Sequence, residues 1–81
     1  MNFTLYSKPG CHLCDDMKVV IGRFIQSLDF SVQLEEIDIT TDPDLEARYG
    51  IEIPVLLVDG KKAAKYRITE IELRRLVGGR S

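Results

Sequence analysis

Cysteine and histidine, the usual ligands of zinc, are scarce in this sequence. Its 81 residues include two cysteines, Cys11 and Cys14, and one histidine, His12. A structural zinc site needs about four ligands, so we do not expect zinc within one chain. An attached c-type haem needs histidine directly after the second cysteine, where this sequence has Asp15. In a reducing compartment such a close cysteine pair is typical of a catalytic or metal-binding site, and we expect a cytoplasmic protein.

Other features that would define a function class are absent as well. No apolar run approaches the roughly 18 residues of a membrane span. The chain runs from Met1 into a predicted strand without the basic and apolar segments of a secretory signal. No dense basic stretch is interleaved with aromatics, so nucleic-acid binding is not expected. We find no repeat or linker and predict one domain over residues 1–81, with a thin core.

The chemistry is concentrated in Cys11-His12-Leu13-Cys14. Strand-type residues over 3–6 precede it, and apolar residues at helical spacing follow it over 15–28. The pair therefore lies where a strand passes into a helix, which we expect to run from near Cys11 to near Asp29. The amides and partial positive charge of a helix start lower a cysteine pKa from about 8.5 to about 3.5–7.5. We expect Cys11 to be the exposed sulfur and Cys14, one turn deeper, the covered one. The alternative is a buried apolar pair without chemistry.

The rest of the chain predicts three more strands and two more helices. In order, these are a strand over 32–39, a helix over 43–49, strands over 51–58 and 61–66, and a helix from residue 70. The apolar phase slips between Leu34 and Ile37, which predicts a bulge or a strand end buried on both faces. Asp59-Gly60 predicts a hairpin between the last two strands. The order predicts an α/β fold with a four-stranded mixed sheet, a parallel first pair and helices on both faces.

Local signals predict where the second and third helices begin and end. Asp42 is the expected N-cap of the second helix, and Gly50 its expected C′ residue. Thr69 and Glu72 form a predicted capping box for the last helix. Gly78-Gly79 is expected to end that helix.

Taken together, these motifs resemble the glutaredoxins, which have a thioredoxin-like fold. The resemblance rests on the C-x-x-C pair at the strand–helix junction, on Ile53-Pro54 opening the third strand, and on the final hairpin and helix. It covers essentially the whole chain and is strongest for small bacterial glutaredoxin-like proteins with a CHLC-type motif. It implies a thiol–disulfide oxidoreductase with Cys11 as nucleophile and Cys14 as resolving thiol.

The resemblance also implies which residues contact the substrate. Lys8 matches the basic residue three positions before the nucleophile, and Pro54 matches the cis-proline beside the active site. Ile53 would offer its backbone to the substrate. Two interpretations of His12 stay open: it stabilises the thiolate when protonated or tunes the redox potential, or it is an exposed residue of the first helical turn. For Lys8, the alternative is likewise an exposed lysine.

Two departures from the family pattern concern glutathione, the candidate reductant. His12-Leu13 replaces the usual Pro-Tyr, and Tyr66-Arg67 replaces the usual glycine pair, while Thr69-Glu70 keeps the end of that motif. Side chains at 66 and 67 occupy ligand space. Against this, Arg67 could bind a carboxylate, and the helix start at Thr69 offers amides to an anion. We expect the steric loss to dominate, with weak glutathione-dependent activity and a protein disulfide as the better substrate.

Three functions from different classes follow from this sequence. We favour the dithiol oxidoreductase, acting as a monomer on a protein disulfide or a small-molecule disulfide. The second is an iron–sulfur module in which two chains each contribute Cys11. The third is a scaffold that binds partners without turnover. No metal ligand and no firmly bound cofactor are predicted for the favoured function.

Overall fold

Residues 1–78, which the computed structural model describes, form a four-stranded sheet and three α-helices. In chain order the elements are β1 (Asn2–Ser7), α1 (His12–Gln26), β2 (Gln33–Asp38), a 3₁₀ turn (Ile39–Thr41), α2 (Pro43–Tyr49), β3 (Val55–Val58), β4 (Lys61–Lys65) and α3 (Glu70–Gly78). The strands lie in the order β2-β1-β3-β4, with β1 parallel to β2 and the other pairs antiparallel. The predicted element order and mixed sheet are confirmed.

The two faces of the sheet carry different helices. Along β1, Phe3 and Leu5 point to one face, where they join a fully buried cluster with residues of α1 and α3. The other members of that cluster are Met17, Ile21, Phe24, Leu56, Val58, Ile68 and Leu73. Tyr6 points to the opposite face, where its ring stacks on that of Tyr49 in α2. Helices therefore cover both faces, as predicted, and the C-terminal end of β1 lies between them.

The helix starts follow the predicted capping residues. The Asp42 carboxylate accepts hydrogen bonds from the Asp44 and Leu45 amides at 2.9 and 3.4 Å. At α3 the Glu72 amide donates to Thr69 Oγ1 at 3.2 Å, and the Thr69 hydroxyl donates to the Glu72 carboxylate at 3.1 Å. Both caps satisfy amides that have no partner within the helix. Helix α3 includes Gly78, and Gly79, the second half of the predicted stop, lies outside the described residues.

The predicted ends of α1 and β2 are both wrong. Helix α1 ends at Gln26, short of the expected Asp29, because Ser27 caps it: its hydroxyl donates to the Phe24 carbonyl at 2.7 Å. Strand β2 has neither of the two predicted features: its pairing with β1 is continuous, so it has no bulge, and its last two residues are only partly buried. Ile39, which the apolar pattern assigned to this strand, belongs to the 3₁₀ turn and is fully buried there.

The segment between α2 and β3 also differs from the prediction. Strand β3 begins at Val55 and not at Ile51, because residues 51 and 52 form a turn. The pairing of β3 with β4 contains a register shift between Leu56 and Leu57. Gly50 ends α2 with φ −54°, so it is not the left-handed C′ residue predicted. A Cβ atom at Gly50 would lie 2.5 Å from the Glu46 carbonyl oxygen. Glycine is required here for close backbone approach.

Candidate active site

Cys11 lies at the start of α1, directly after the loop that leaves β1. That loop, Lys8-Pro9-Gly10, turns through Gly10 at φ +76°, a left-handed conformation that glycine adopts without strain. Cys11 is the N-cap residue of α1, and the Cys14 amide donates a hydrogen bond to Cys11 Sγ at 3.1 Å. Its side chain is partly exposed. A sulfur in this position receives both a donated N–H and the positive end of the helix.

Cys14 lies one turn deeper and is 2% exposed. Its Cα atom is 5.2 Å from that of Cys11, and the two sulfurs form a disulfide bond. The predicted contrast between an exposed and a covered sulfur is therefore confirmed. The arrangement leaves Cys11 as the sulfur that an external molecule can reach first.

A second apolar cluster surrounds this disulfide. It contains Cys14, Ile39 and Ile53, and Cys11 packs against it. The rings of Tyr6 and Tyr49, whose centroids are 4.8 Å apart, pack against the same cluster. Neither tyrosine is among the site residues predicted from the sequence. The alternation of β1 could have placed Tyr6 on the face opposite Leu5, but only the fold brings Tyr49 to it.

The Ile53–Pro54 peptide bond is cis, as predicted, and both residues are buried. The Tyr49 carbonyl accepts hydrogen bonds from the Glu52 and Ile53 amides at 2.9 and 3.1 Å, which ties this segment to the end of α2. A substrate that pairs with the Ile53 amide must therefore displace the bond to Tyr49. The Pro54 carbonyl accepts a hydrogen bond from the Tyr66 amide at 2.8 Å.

Tyr66 has an unusual backbone conformation for a bulky residue, with φ +70°. Its hydroxyl donates to the Ile51 carbonyl at 3.2 Å, and the Lys65 ammonium lies 5.4 Å from its ring centroid. Its side chain thus reaches back over the segment that leads to Pro54. Ile51, at the edge of this segment, is 91% exposed.

A cleft of about 290 Å³ adjoins the cysteine pair on the α1 side. We call it the Leu13 cleft; Leu13, Asp16, Met17, Val20, Tyr66, Arg67, Ile68 and Thr69 line it. Two predicted substrate-binding residues, Arg67 and Thr69, therefore lie together, next to the motif. Lys8 is exposed and lines a different, polar depression with Asp15 and Glu36. His12 is exposed at the first position of α1.

Hydrogen bonds keep two carboxylates near the site in their ionised form. Glu52 accepts hydrogen bonds from Lys62 at 2.9 Å and from Lys65 at 3.4 Å, which lower the pKa of Glu52. At the end of β2, the Asp38 carboxylate accepts hydrogen bonds from the Thr40 hydroxyl and the Thr40 amide. Both bonds lower the pKa of Asp38, the hydroxyl more than the amide. Both carboxylates stay ionised at neutral pH. Because the ionised Glu52 offsets part of the charge of Lys62 and Lys65, these two lysines of β4 add less net positive charge to this side of the site than two lysines without a carboxylate partner would.

Residues 1–78 contain neither a candidate metal centre nor a membrane-spanning helix. No group of three or more histidine, cysteine, aspartate or glutamate side chains in this range is arranged to hold a metal ion. The helices of this range are each too short or too polar to cross a membrane.

The fold and the site together correspond to a known family. The family model for the Glutaredoxin-like domain (DUF836) matches residues 2–78. The chain belongs to this glutaredoxin-like family. The glutaredoxin-like YDR286C homolog of Dictyostelium discoideum is 31% identical over 78 residues, which cover 90% of this chain and 71% of that protein.

Solved structures of similar proteins share the fold of this chain. Protein XcR50 from X. campestris is 26% identical with a TM-score of 0.73, and the match covers 95% of this chain and 96% of that one. Thioredoxin 1 from Thermosipho africanus is 16% identical with a TM-score of 0.63, covering 99% and 98% of the two chains. At that identity the likeness shows the fold alone. The predicted thioredoxin-like fold is confirmed.

Proposed function

We propose that this glutaredoxin-like protein is a thiol–disulfide oxidoreductase, with Cys11 as nucleophile and Cys14 as resolving thiol. The observation that supports this most is the position of Cys11 Sγ at the N-cap of α1. There the Cys14 amide donates to it at 3.1 Å, and the sulfur is partly exposed. A thiolate is stabilised by both the hydrogen bond and the helix dipole, and only the thiolate attacks a disulfide.

The reaction has two exchange steps. In the first, the Cys11 thiolate attacks one sulfur of the substrate disulfide, that bond breaks, and the departing thiolate takes a proton from water. In the second, the Cys14 thiol gives its proton to water and its sulfur attacks Cys11 Sγ. The mixed disulfide breaks, and the second substrate thiolate is protonated. The substrate gains two electrons, and the protein loses two as the Cys11–Cys14 disulfide.

A reductant must return the protein to its dithiol form. Two molecules of a monothiol such as glutathione, or one dithiol protein, balance the two electrons. We place this cycle in the cytoplasm, where thiols are kept reduced. The substrate is a protein disulfide or a small-molecule disulfide, and we propose that the protein acts on it as a monomer.

Competitive alkylation tests the assignment of the two sulfurs. The reduced protein is treated with limiting iodoacetamide near neutral pH, and the label is located by mass spectrometry. We expect Cys11 to react first, because its sulfur is both accessible and stabilised as the thiolate. Cys14 is 2% exposed and should react slowly. Preferential labelling of Cys14 would reverse the roles.

Single-cysteine variants provide the matched controls. Cys14→Ser keeps the nucleophile and lacks the resolving thiol, so it should accumulate a mixed disulfide with the substrate. Cys11→Ser should form none under the same conditions. Equal trapping by the two variants, or trapping by neither, would contradict the mechanism.

A further inference from the structure

The Leu13 cleft has a size and a lining that suit one apolar side chain. Its floor is formed by Met17 and Ile68, which are 2% and 6% exposed, and Leu13 and Val20 form part of its wall. Its volume of about 290 Å³ lies at the lower end of the roughly 300–1,000 Å³ of small-molecule pockets. Charged groups, Asp16 among them, also line it. An apolar amino acid side chain matches this lining, because the polar atoms of its own backbone can lie near the charged groups.

The cleft also borders the reactive segment, through Leu13. Leu13 stands between the two cysteines of the motif, so one wall of the cleft belongs to the reactive segment. In the mixed disulfide, the substrate cysteine is attached to Cys11. The residues on either side of that cysteine then lie within about 3.8 Å of it, Cα to Cα. A neighbouring side chain of the substrate can therefore reach the cleft without a separate binding event.

Tyr66 supports a role for this surface in substrate selection. Glycine would adopt φ +70° without strain, whereas a bulky residue there is uncommon and costs free energy. Such outliers cluster at functional sites. Tyr66 lines the cleft, and its hydroxyl donates to the carbonyl of Ile51. Tyr66 and Ile51 are both exposed, 40% and 91%, so apolar side chains remain accessible beside the cleft.

We propose that the Leu13 cleft binds an apolar side chain adjacent to the disulfide cysteine of a protein substrate. This inference rests on the proposed oxidoreductase function and specifies its substrate class. Burial of the side chain against Leu13, Met17 and Tyr66 favours association through the hydrophobic effect. Glutathione has no large apolar side chain and gains nothing from the cleft.

Two peptide disulfides test the proposal. Each is the symmetrical disulfide of a blocked tripeptide, one with leucine on both sides of cysteine and one with serine. The second-order rate at which each oxidises the reduced protein is measured by rapid quenching and alkylation. We expect the leucine peptide to react about tenfold faster, equivalent to about 1.4 kcal/mol. Hydroxyethyl disulfide, which has no side chain, serves as the reference for attack by Cys11.

Variants locate the preference on the cleft. Leu13→Ala and Tyr66→Gly should each bring the ratio of the two peptide rates close to one, and glycine at 66 suits the local backbone. Phe30→Ser is the matched control, since Phe30 is 47% exposed and follows the far end of the 15-residue helix α1. That helix spans about 22 Å, so this variant should keep the wild-type ratio.

The outcomes separate the two proposals. If hydroxyethyl disulfide does not oxidise Cys11, the proposed function itself fails. If it does, and the two peptides react at equal rates, only the cleft assignment is overturned. A preference for leucine that survives in both cleft variants would also overturn it, because the apolar contact would then lie elsewhere.

Discussion

Two glycine-to-alanine substitutions should change stability in opposite directions. Gly50 follows α2, and its amide donates to the Glu46 carbonyl oxygen at 2.8 Å. An alanine Cβ would lie 2.5 Å from the same oxygen and 3.6 Å from its carbon. Both contacts are with backbone, so relief requires the last turn of α2 to shift. We expect Gly50→Ala to lower the free energy of unfolding by about 1–3 kcal/mol, as overpacked sites do.

Gly22 is the matched control within α1. A Cβ atom there meets nothing within 4 Å, and its φ is not in the left-handed region. Glycine inside a helix is less favourable than alanine by roughly 0.5–1 kcal/mol, because glycine loses more conformational freedom than alanine when the chain folds. Gly22→Ala should therefore raise the free energy of unfolding by about that amount.

Urea unfolding followed by circular dichroism measures both effects, with all proteins in the same redox state. A single domain of this size is expected to unfold in one cooperative transition, so midpoints convert to free energies. In thermal unfolding, 1 kcal/mol corresponds to about 4–8 °C for a domain of 60–100 residues. A Gly50→Ala variant as stable as the wild type would refute the steric argument. Equal destabilisation by both substitutions would show that the close approach to Glu46 is not the cause.

Two further predictions concern charge and ligand choice. The lowered pKa of Glu52 means that its contribution to stability is present above the unfolded-state pKa and is lost as pH falls through the folded-state value. Glu52→Gln should therefore show a smaller loss of stability between pH 7 and pH 3 than wild type or the exposed control Glu35→Gln, and an unchanged acid profile would contradict this. Glutathione-dependent turnover of a small mixed disulfide should be weak, because Tyr66 and Arg67 occupy the positions where the family has glycines. Robust turnover that falls on Arg67→Ala would instead assign carboxylate binding to Arg67.

Several elements of the fold could be predicted because their causes are local. The caps at Asp42 and Thr69 depend on a side chain and amides two or three residues away, and both bonds are present. The end of α1 was predicted too late, because the apolar pattern continues to Leu28 while Ser27 ends the helix. Leu28 packs against the core from outside the helix. Strand β2 lies at a sheet edge, where partial burial weakens the alternation that predicts a strand.

The sequence by itself determined the chemistry of this protein, and the tertiary structure decided the surroundings of that chemistry. Interactions within one segment, a strand followed by a turn and an amphipathic helix, determine where the two sulfurs lie. They place Cys11 at the start of the helix and Cys14 one turn deeper. Only the whole fold places Ile53 in one cluster with Cys14, packs the stacked rings of Tyr6 and Tyr49 against that cluster, and bonds the Tyr66 hydroxyl to a distant carbonyl. These contacts join residues far apart in the chain, and their geometry is set by sheet order and helix packing, which local propensity does not specify.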